Sequence, residues 1–143
     1  MNDSLSSTIN IFVDGGARGN PGPSAVGVVV KNEKGRIIHK FGKYIGFGTN
    51  NVAEYSAVIE ALTFAKKLGK LKNVTVFADS ELVVSQLAGI YKVKKPHLRM
   101  LLFTVRVLEQ EIGGNVFYVS IPRAENKEAD RLVNMALDRQ AFL

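Results

Sequence analysis

The chain has 143 residues, enough for one domain that buries a core without cross-links. It has no cysteine and only two histidines, His39 and His97, far apart, which excludes disulfides, thiol catalysis and cysteine or histidine-rich metal sites. A formal charge of +6, from 19 Lys and Arg against 13 Asp and Glu, fits a polyanionic partner or plain solubility. The first strand is predicted over Ile9 to Asp14, rich in β-branched and aromatic residues, followed by a turn-rich loop over Gly15 to Pro23. Two more strands follow, Ser24 to Lys31 and Arg36 to Ile45, joined by a hairpin turn near Asn32–Gly35. The period then changes to a helical one through Tyr55, Val58, Ile59, Leu62, Ala65 and Leu68. Thr49, Asn50 and Asn51 are cap candidates for that helix, and Gly69 stops it.

A short strand is predicted over Val74 to Ala78. A helix capped by Ser80 then runs to about Ala88 and closes at Gly89. A third helix carries Leu98, Leu101, Leu102, Val105, Leu108 and Ile112, and ends at Gly113–Gly114. A fifth strand covers Val116 to Ile121. A last helix starts near Asn126, with Ala129, Leu132, Val133 and Ala136 inward. The order β-β-β-α-β-α-α-β-α implies an α/β (α+β) fold with a five-stranded mixed sheet flanked by helices. Residues 1–8 are expected to form a short polar tail and 9–143 one domain. The start shows no secretory signal and no run is apolar enough to span a bilayer, so a cytoplasmic, membrane-free chain is expected.

That topology makes a geometric prediction about carboxylates. Strand three runs parallel to strand one, so both end at one edge of the sheet. The first helix begins there and brings Glu54 close to Asp14. Strand four ends at the same edge with Asp79. The last helix would bring Asp130 there if strand five is parallel too, a parity that the two intervening helices leave open. Ligand sites of open α/β sheets lie at this carboxyl edge. Each acid has a bland reading: Asp14 as a turn residue, Glu54 as a helix-dipole partner, Asp79 as a cap, Asp130 paired with Lys127 or Arg131. Two carboxylates about 4 Å apart repel by roughly 4 kcal/mol at an effective dielectric near 20, which a divalent cation relieves. With no cysteine and no histidine cluster, such an ion is held by oxygen, as Mg²⁺, Mn²⁺ or Ca²⁺ are.

Four segments carry a resemblance: DGGARGNPGP (Asp14 to Pro23), TNNVAEYSAVIEAL (Thr49 to Leu62), ADSELVVSQL (Ala78 to Leu87) and IPRAENKEAD (Ile121 to Asp130). The chain resembles type 1 ribonuclease H, and is most similar to its compact bacterial and archaeal members. The resemblance implies a ribonuclease H-like fold and an endonuclease that cuts the RNA strand of RNA–DNA hybrids. It implies two Mg²⁺ ions per site with substrate bound, Mn²⁺ being an alternative, and products with 5′-phosphate and 3′-hydroxyl ends. It makes Asp14, Glu54, Asp79 and Asp130 both catalytic and metal-holding, with Asp14 bridging the two ions. It assigns Asn20, Asn50 and Asn51 to the hybrid's minor groove, Thr49 with Asn20 to a DNA phosphate, and the Gly15 to Gly22 backbone to the nucleic acid. The amides suit ribose 2′-hydroxyls because they both donate and accept.

Two positions depart from the family pattern. No histidine lies between Ser120 and Asn126, where many members carry a catalytic one, and Arg123 stands in that neighbourhood, placed to contact phosphate. Glu81 stands where many members have Gln, which opens double-stranded RNA as a second substrate. The basic stretch from Tyr91 to Arg99 is read as the vestige of an arm that grips the DNA backbone, through Lys92, Lys94 and Lys95. His39 is read as a strand-face residue without function. A monomer is expected. Two other readings stay open: a weakly catalytic module that binds hybrid or double-stranded RNA, and another nuclease of the same superfamily. The GNPG loop and the Thr-Asn-Asn before Glu54 favour the hybrid ribonuclease.

Overall fold

A computed structural model describes residues 7–143; most of the expected polar tail, residues 1–6, lies outside the described residues. The elements are β1 (Thr8–Ala17), β2 (Gly22–Asn32), β3 (Ile37–Gly48), α1 (Asn50–Leu68), β4 (Asn73–Ala78), α2 (Glu81–Leu87), α3 (Pro96–Ile112), β5 (Asn115–Ser120) and α4 (Lys127–Ala141). The expected order is the observed one. One short 3-10 turn, Arg123–Glu125, was not foreseen; Pro122 precedes it. Thr8, expected in the tail, opens β1, and Ser7 anchors it by accepting from the Lys72 amide at 2.8 Å.

The five strands form one sheet in the order β3-β2-β1-β4-β5. β1, β2 and β3 are an antiparallel meander, β4 is parallel to β1, and β5 is parallel to β4. That last pairing settles the parity left open by the sequence. The near-continuous apolar run of β2 follows from its position. Val26, Val28 and Val30 pack under α1, while Ala25 and Val29 pack under α4, so both faces are covered.

α1 starts at Thr49, whose Oγ1 accepts from the Val52 amide at 3.2 Å, and ends at Gly69, whose φ of 72° favours glycine. Its Tyr55 is fully buried and donates to Gln86 Oε1 at 2.6 Å, tying α1 to α2. Burial pushes that phenol up to about 12.

One expectation fails in detail. Gly15 to Pro23 is not a long loop, because Gly15, Gly16 and Ala17 pair with Val26, Ala25 and Ser24 and only residues 18–21 remain as a turn. Glycine here serves close approach rather than a bend. A Cβ on Gly15 would lie 2.1 Å from the Ala53 carbonyl oxygen, so a side chain would push α1 off the strand. No helix among the described residues is long and apolar enough to cross a membrane.

Candidate active site

Asp14 lies inside β1, three residues before its end, and not at the strand terminus as the sequence suggested. Its partner across the ladder is Gly27, where a Cβ would sit 2.1 Å from the Ala129 carbonyl oxygen, so glycine admits α4 against the sheet beside Asp14. Glu54 stands in the second turn of α1, and Asp79 directly follows β4. Each of the three offers one oxygen, and these oxygens all lie within 4.8 Å of one another. Asp14 and Glu54 are each only 7% exposed.

The arrangement is electrostatically costly. At that separation two carboxylates repel by roughly 3 kcal/mol at an effective dielectric near 20. Burial, then the Asp79 charge, then Asp130 push Asp14 up to about 7, against the opposing effect of its hydrogen bond with Glu54. Burial and the Asp14 charge hold Glu54 well above the usual carboxylate range. Glu54 Oε1 accepts from the Gly15 amide at 3.2 Å, but Glu54 Oε2 and Asp79 Oδ2 are buried with no hydrogen-bond partner. An all-oxygen donor set with two unpartnered buried oxygens and excess negative charge fits a hard divalent cation.

Asp130 lies outside this triangle but faces the same cleft, about 460 Å³ in volume, which Arg18, Asn50, Asn51, Arg123 and Asn134 also line. A larger cavity of about 830 Å³ lies between the end of α3 and β5, where Glu109 Oε2 accepts from both Arg106 and Tyr118. It holds no carboxylate cluster.

The remaining sequence candidates divide into three groups. Gly15, Asn50, Asn51 and Arg123 line the acidic cleft. Gly15 is buried and its amide already serves Glu54. Asn20 and Thr49 do not line the cleft but build its rim. Asn20 Oδ1 accepts from the Asn50 amide at 3.0 Å, and Asn50 Oδ1 accepts from the Ala17 amide at 2.9 Å. Thr49 is the helix cap. Lys92, Lys94 and Lys95 lie in the irregular segment between α2 and α3, exposed and away from the cleft. Among the described residues their side chains make no hydrogen bond or ion pair, although the Lys95 carbonyl accepts from the Arg99 amide at 3.0 Å. His39 stacks on Phe64 with centroids 4.6 Å apart.

The sequence reading missed Arg18, Asn126 and Asn134. Arg18 Nη2 donates to Asp138 Oδ1 at 2.7 Å and to Asn134 Oδ1 at 3.4 Å, across the cleft wall. Asn126 is 2% exposed and donates from Nδ2 to the Val13 carbonyl at 2.8 Å. Arg18 and Asn126 lie within the quoted segments Asp14 to Pro23 and Ile121 to Asp130 but carried no role there; Asn126 and Asn134 also stand four residues before and after Asp130.

A family model described as "Reverse transcriptase-like" matches residues 12–136. The solved structure of LC11-RNase H1, isolated from compost by a metagenomic approach, is 45% identical with a TM-score of 0.89, over 94% of this chain and 99% of that one. The chain belongs to the type 1 ribonuclease H family. The same LC11 enzyme has been solved in complex with an RNA/DNA hybrid, and that structure is 46% identical with a TM-score of 0.86, over 93% of this chain and 99% of that one. Ribonuclease HI of Halobacterium salinarum is 41% identical over 131 residues, 91% of this chain and 64% of the relative. The bifunctional protein Rv2228c of Mycobacterium tuberculosis is 42% identical over 132 residues, 92% of this chain. The chain thus spans from about a third (36%) to just under two thirds (64%) of the length of such curated relatives.

Proposed function

We propose that this chain is a metal-dependent endonuclease that hydrolyses the RNA strand of RNA–DNA hybrids, and that residues 9–143 are its catalytic domain. The observation that carries the reading is the triangle of Asp14, Glu54 and Asp79 oxygens within 4.8 Å, with two of the carboxylates presenting unpartnered buried atoms. A protein has little reason to keep such repulsion facing a polyanion unless cations join the two. The LC11 structure with bound RNA/DNA hybrid supports the substrate class.

In this reading two Mg²⁺ or Mn²⁺ ions would be held by these acids, Asp14 serving both, Glu54 and Asp79 helping to hold one, and Asp130 the other. Such ions, when bound, supply a hydroxide near neutral pH and neutralise charge on the attacking and leaving oxygens, which leaves 5′-phosphate and 3′-hydroxyl ends. The chain's own residues select and orient the substrate. Asn50 and Asn51, at the start of α1, offer amides toward the ribose 2′-hydroxyls that distinguish RNA from DNA. Asn20 positions the turn 18–21 against Asn50, and Arg123 offers a cation to the phosphate at the cleft mouth. Lys92, Lys94 and Lys95 add sequence-independent grip on the DNA backbone.

The test is a gel cleavage assay. Labelled RNA–DNA hybrid, double-stranded RNA, single-stranded RNA and double-stranded DNA are incubated with Mg²⁺ or Mn²⁺, beside the Asp79→Asn variant. Metal-dependent cutting of the hybrid's RNA strand, lost in the variant, is the expected result. A hybrid bound but left whole would leave a binding module instead.

A further inference from the structure

Asn126 immediately precedes α4 and occupies its N-cap position. An asparagine there ordinarily turns its side-chain oxygen onto a free backbone amide of the helix. This one does not: α4 has no side-chain cap. Its Nδ2 instead reaches across 113 residues of sequence and donates to the Val13 carbonyl at 2.8 Å, while its Oδ1 is buried with no partner. Helix α4 forgoes its local cap and a buried oxygen goes unmet, both unfavourable for stability.

The place of the contact explains the sacrifice. β1 and β4 pair only as far as Phe12–Phe77, and Val13 is the next residue of β1. The two strands separate there, and the acidic cleft opens between Asp14 and Asp79. Val13 directly precedes Asp14. On the other side, the Asn126 carbonyl accepts from the Asp130 amide at 3.2 Å. One side chain thus spans the gap between the residue before Asp14 and the helix turn that carries Asp130. Gly27 and Gly42 let α4 lie against the sheet, and the Asn126 amide adds one directional bond to that packing.

We infer that Asn126 is a positioning residue that fixes Asp130 relative to Asp14, so that both present oxygen to the same cation. The inference rests on the proposed function and deepens it. The contact recruits no reacting atom, so Asn126 acts only through the two carboxylates. Groups of this kind, which orient ligands without touching the metal, typically change metal affinity or activity by about 10–100-fold when removed.

Two substitutions separate this role from ordinary helix stability. Asn126→Ala removes both tether and polar group. Asn126→Ser supplies a good cap for α4 but is too short to reach Val13. Each variant is measured in three ways: kcat and KM on the hybrid, the Mn²⁺ concentration for half-maximal rate, and the rise in melting temperature that Mn²⁺ produces without nucleic acid. The expected result is the same in both: kcat down about ten-fold or more, KM within about two-fold, the Mn²⁺ midpoint raised, and a smaller Mn²⁺ thermal shift. A helix-stability role predicts instead that Asn126→Ser behaves as the parent. That outcome, or a Mn²⁺ thermal shift equal in parent and variants, overturns the inference. If the parent itself fails to cut hybrid, the proposed function falls, and the thermal shifts alone decide the tether. If only one variant folds, that variant's shift decides it.

Discussion

The acidic cleft and the basic segment between α2 and α3 are both assigned to one nucleic acid, yet they are built in opposite ways. The cleft is drawn from β1, α1, α4 and the turn after β4; its carboxylates are crowded, and Asp14 and Glu54 are buried. The basic segment has three exposed lysines whose side chains make no hydrogen bond or ion pair among the described residues. Chemistry at a phosphate needs atoms held within fractions of an ångström, so the cleft accepts repulsion and unpartnered oxygens to hold its geometry. Affinity for a phosphate backbone needs only charge at roughly the right place, and flexible lysines supply it at no structural cost. The two regions therefore predict different kinds of failure.

The largest effect belongs to the cleft. Asp14→Asn or Asp79→Asn should lower the single-turnover cleavage rate by about 10³-fold or more, equivalent to roughly 4 kcal/mol of barrier. Binding of the hybrid should persist. A variant that cuts within ten-fold of the parent would break the contrast, because the cleft would then be no more demanding than the lysines.

Next comes the stability of the metal-free chain. Asp14 in the fold holds its proton up to about pH 7, whereas an unfolded Asp releases it near 4. Between these limits the folded state binds protons that the unfolded state has lost. Stability therefore falls as pH rises through that window, by at most about 1.4 kcal/mol per pH unit for one such group. Glu54, shifted in the same direction, adds to the fall. Melting curves in chelator should thus drop from pH 4 to pH 7, and Mg²⁺ should flatten them. Asp14→Asn should raise the melting temperature in chelator at pH 7.5 and remove the Mg²⁺ response. A chelator curve that rises over the same window would show that the cluster is not under strain.

The basic segment should fail more gently. Replacing Lys92, Lys94 and Lys95 together by alanine should raise KM and leave kcat nearly unchanged. Every phosphate left without its lysine should flatten the salt dependence of binding by about 0.9 in log–log slope, so three would remove two to three units. An unchanged slope would take the segment out of the interface.

The same contrast explains what could be read in the sequence. The element order followed from hydrophobic period and glycine stops, and the parities of strands one, three and four sent Asp14, Glu54 and Asp79 to one edge. Only the direction of β5 needed the structure, because two consecutive helices, α2 and α3, separate it from β4. The glycines misled: Gly15 and Gly16 read as loop residues, whereas they are paired strand residues chosen for helix contact. Asn126 was invisible for a related reason. Asparagine before a helix reads as a local cap, and nothing in the order of residues says that its amide will bond to Val13, 113 positions away. Local patterns reveal elements; the braces between elements are long-range and leave no period.

Arg18 offers the finest discrimination, because it joins the two styles of construction. It is a cation of the cleft rim, but it is held to α4 by Asp138, and both side chains are about half exposed, 45% and 62%. An exposed pair of this kind contributes roughly 0–1 kcal/mol, so Arg18→Ala should barely move the melting temperature. What it should move is the turn 18–21, which presents Asn20 to the start of α1. The expected outcome is a KM raised about two- to five-fold, equivalent to roughly 0.4–1 kcal/mol, with kcat held within about two-fold. Asp138→Asn, which weakens the same pair from the other side, should reproduce it. Lysine at position 18 keeps the charge without the planar fork, so it should recover only part of the loss. If Arg18→Ala instead lowers kcat as far as Asn126→Ala does, the rim and the carboxylates move as one body. The cleft would then owe its geometry to the surface pair as much as to the buried amide.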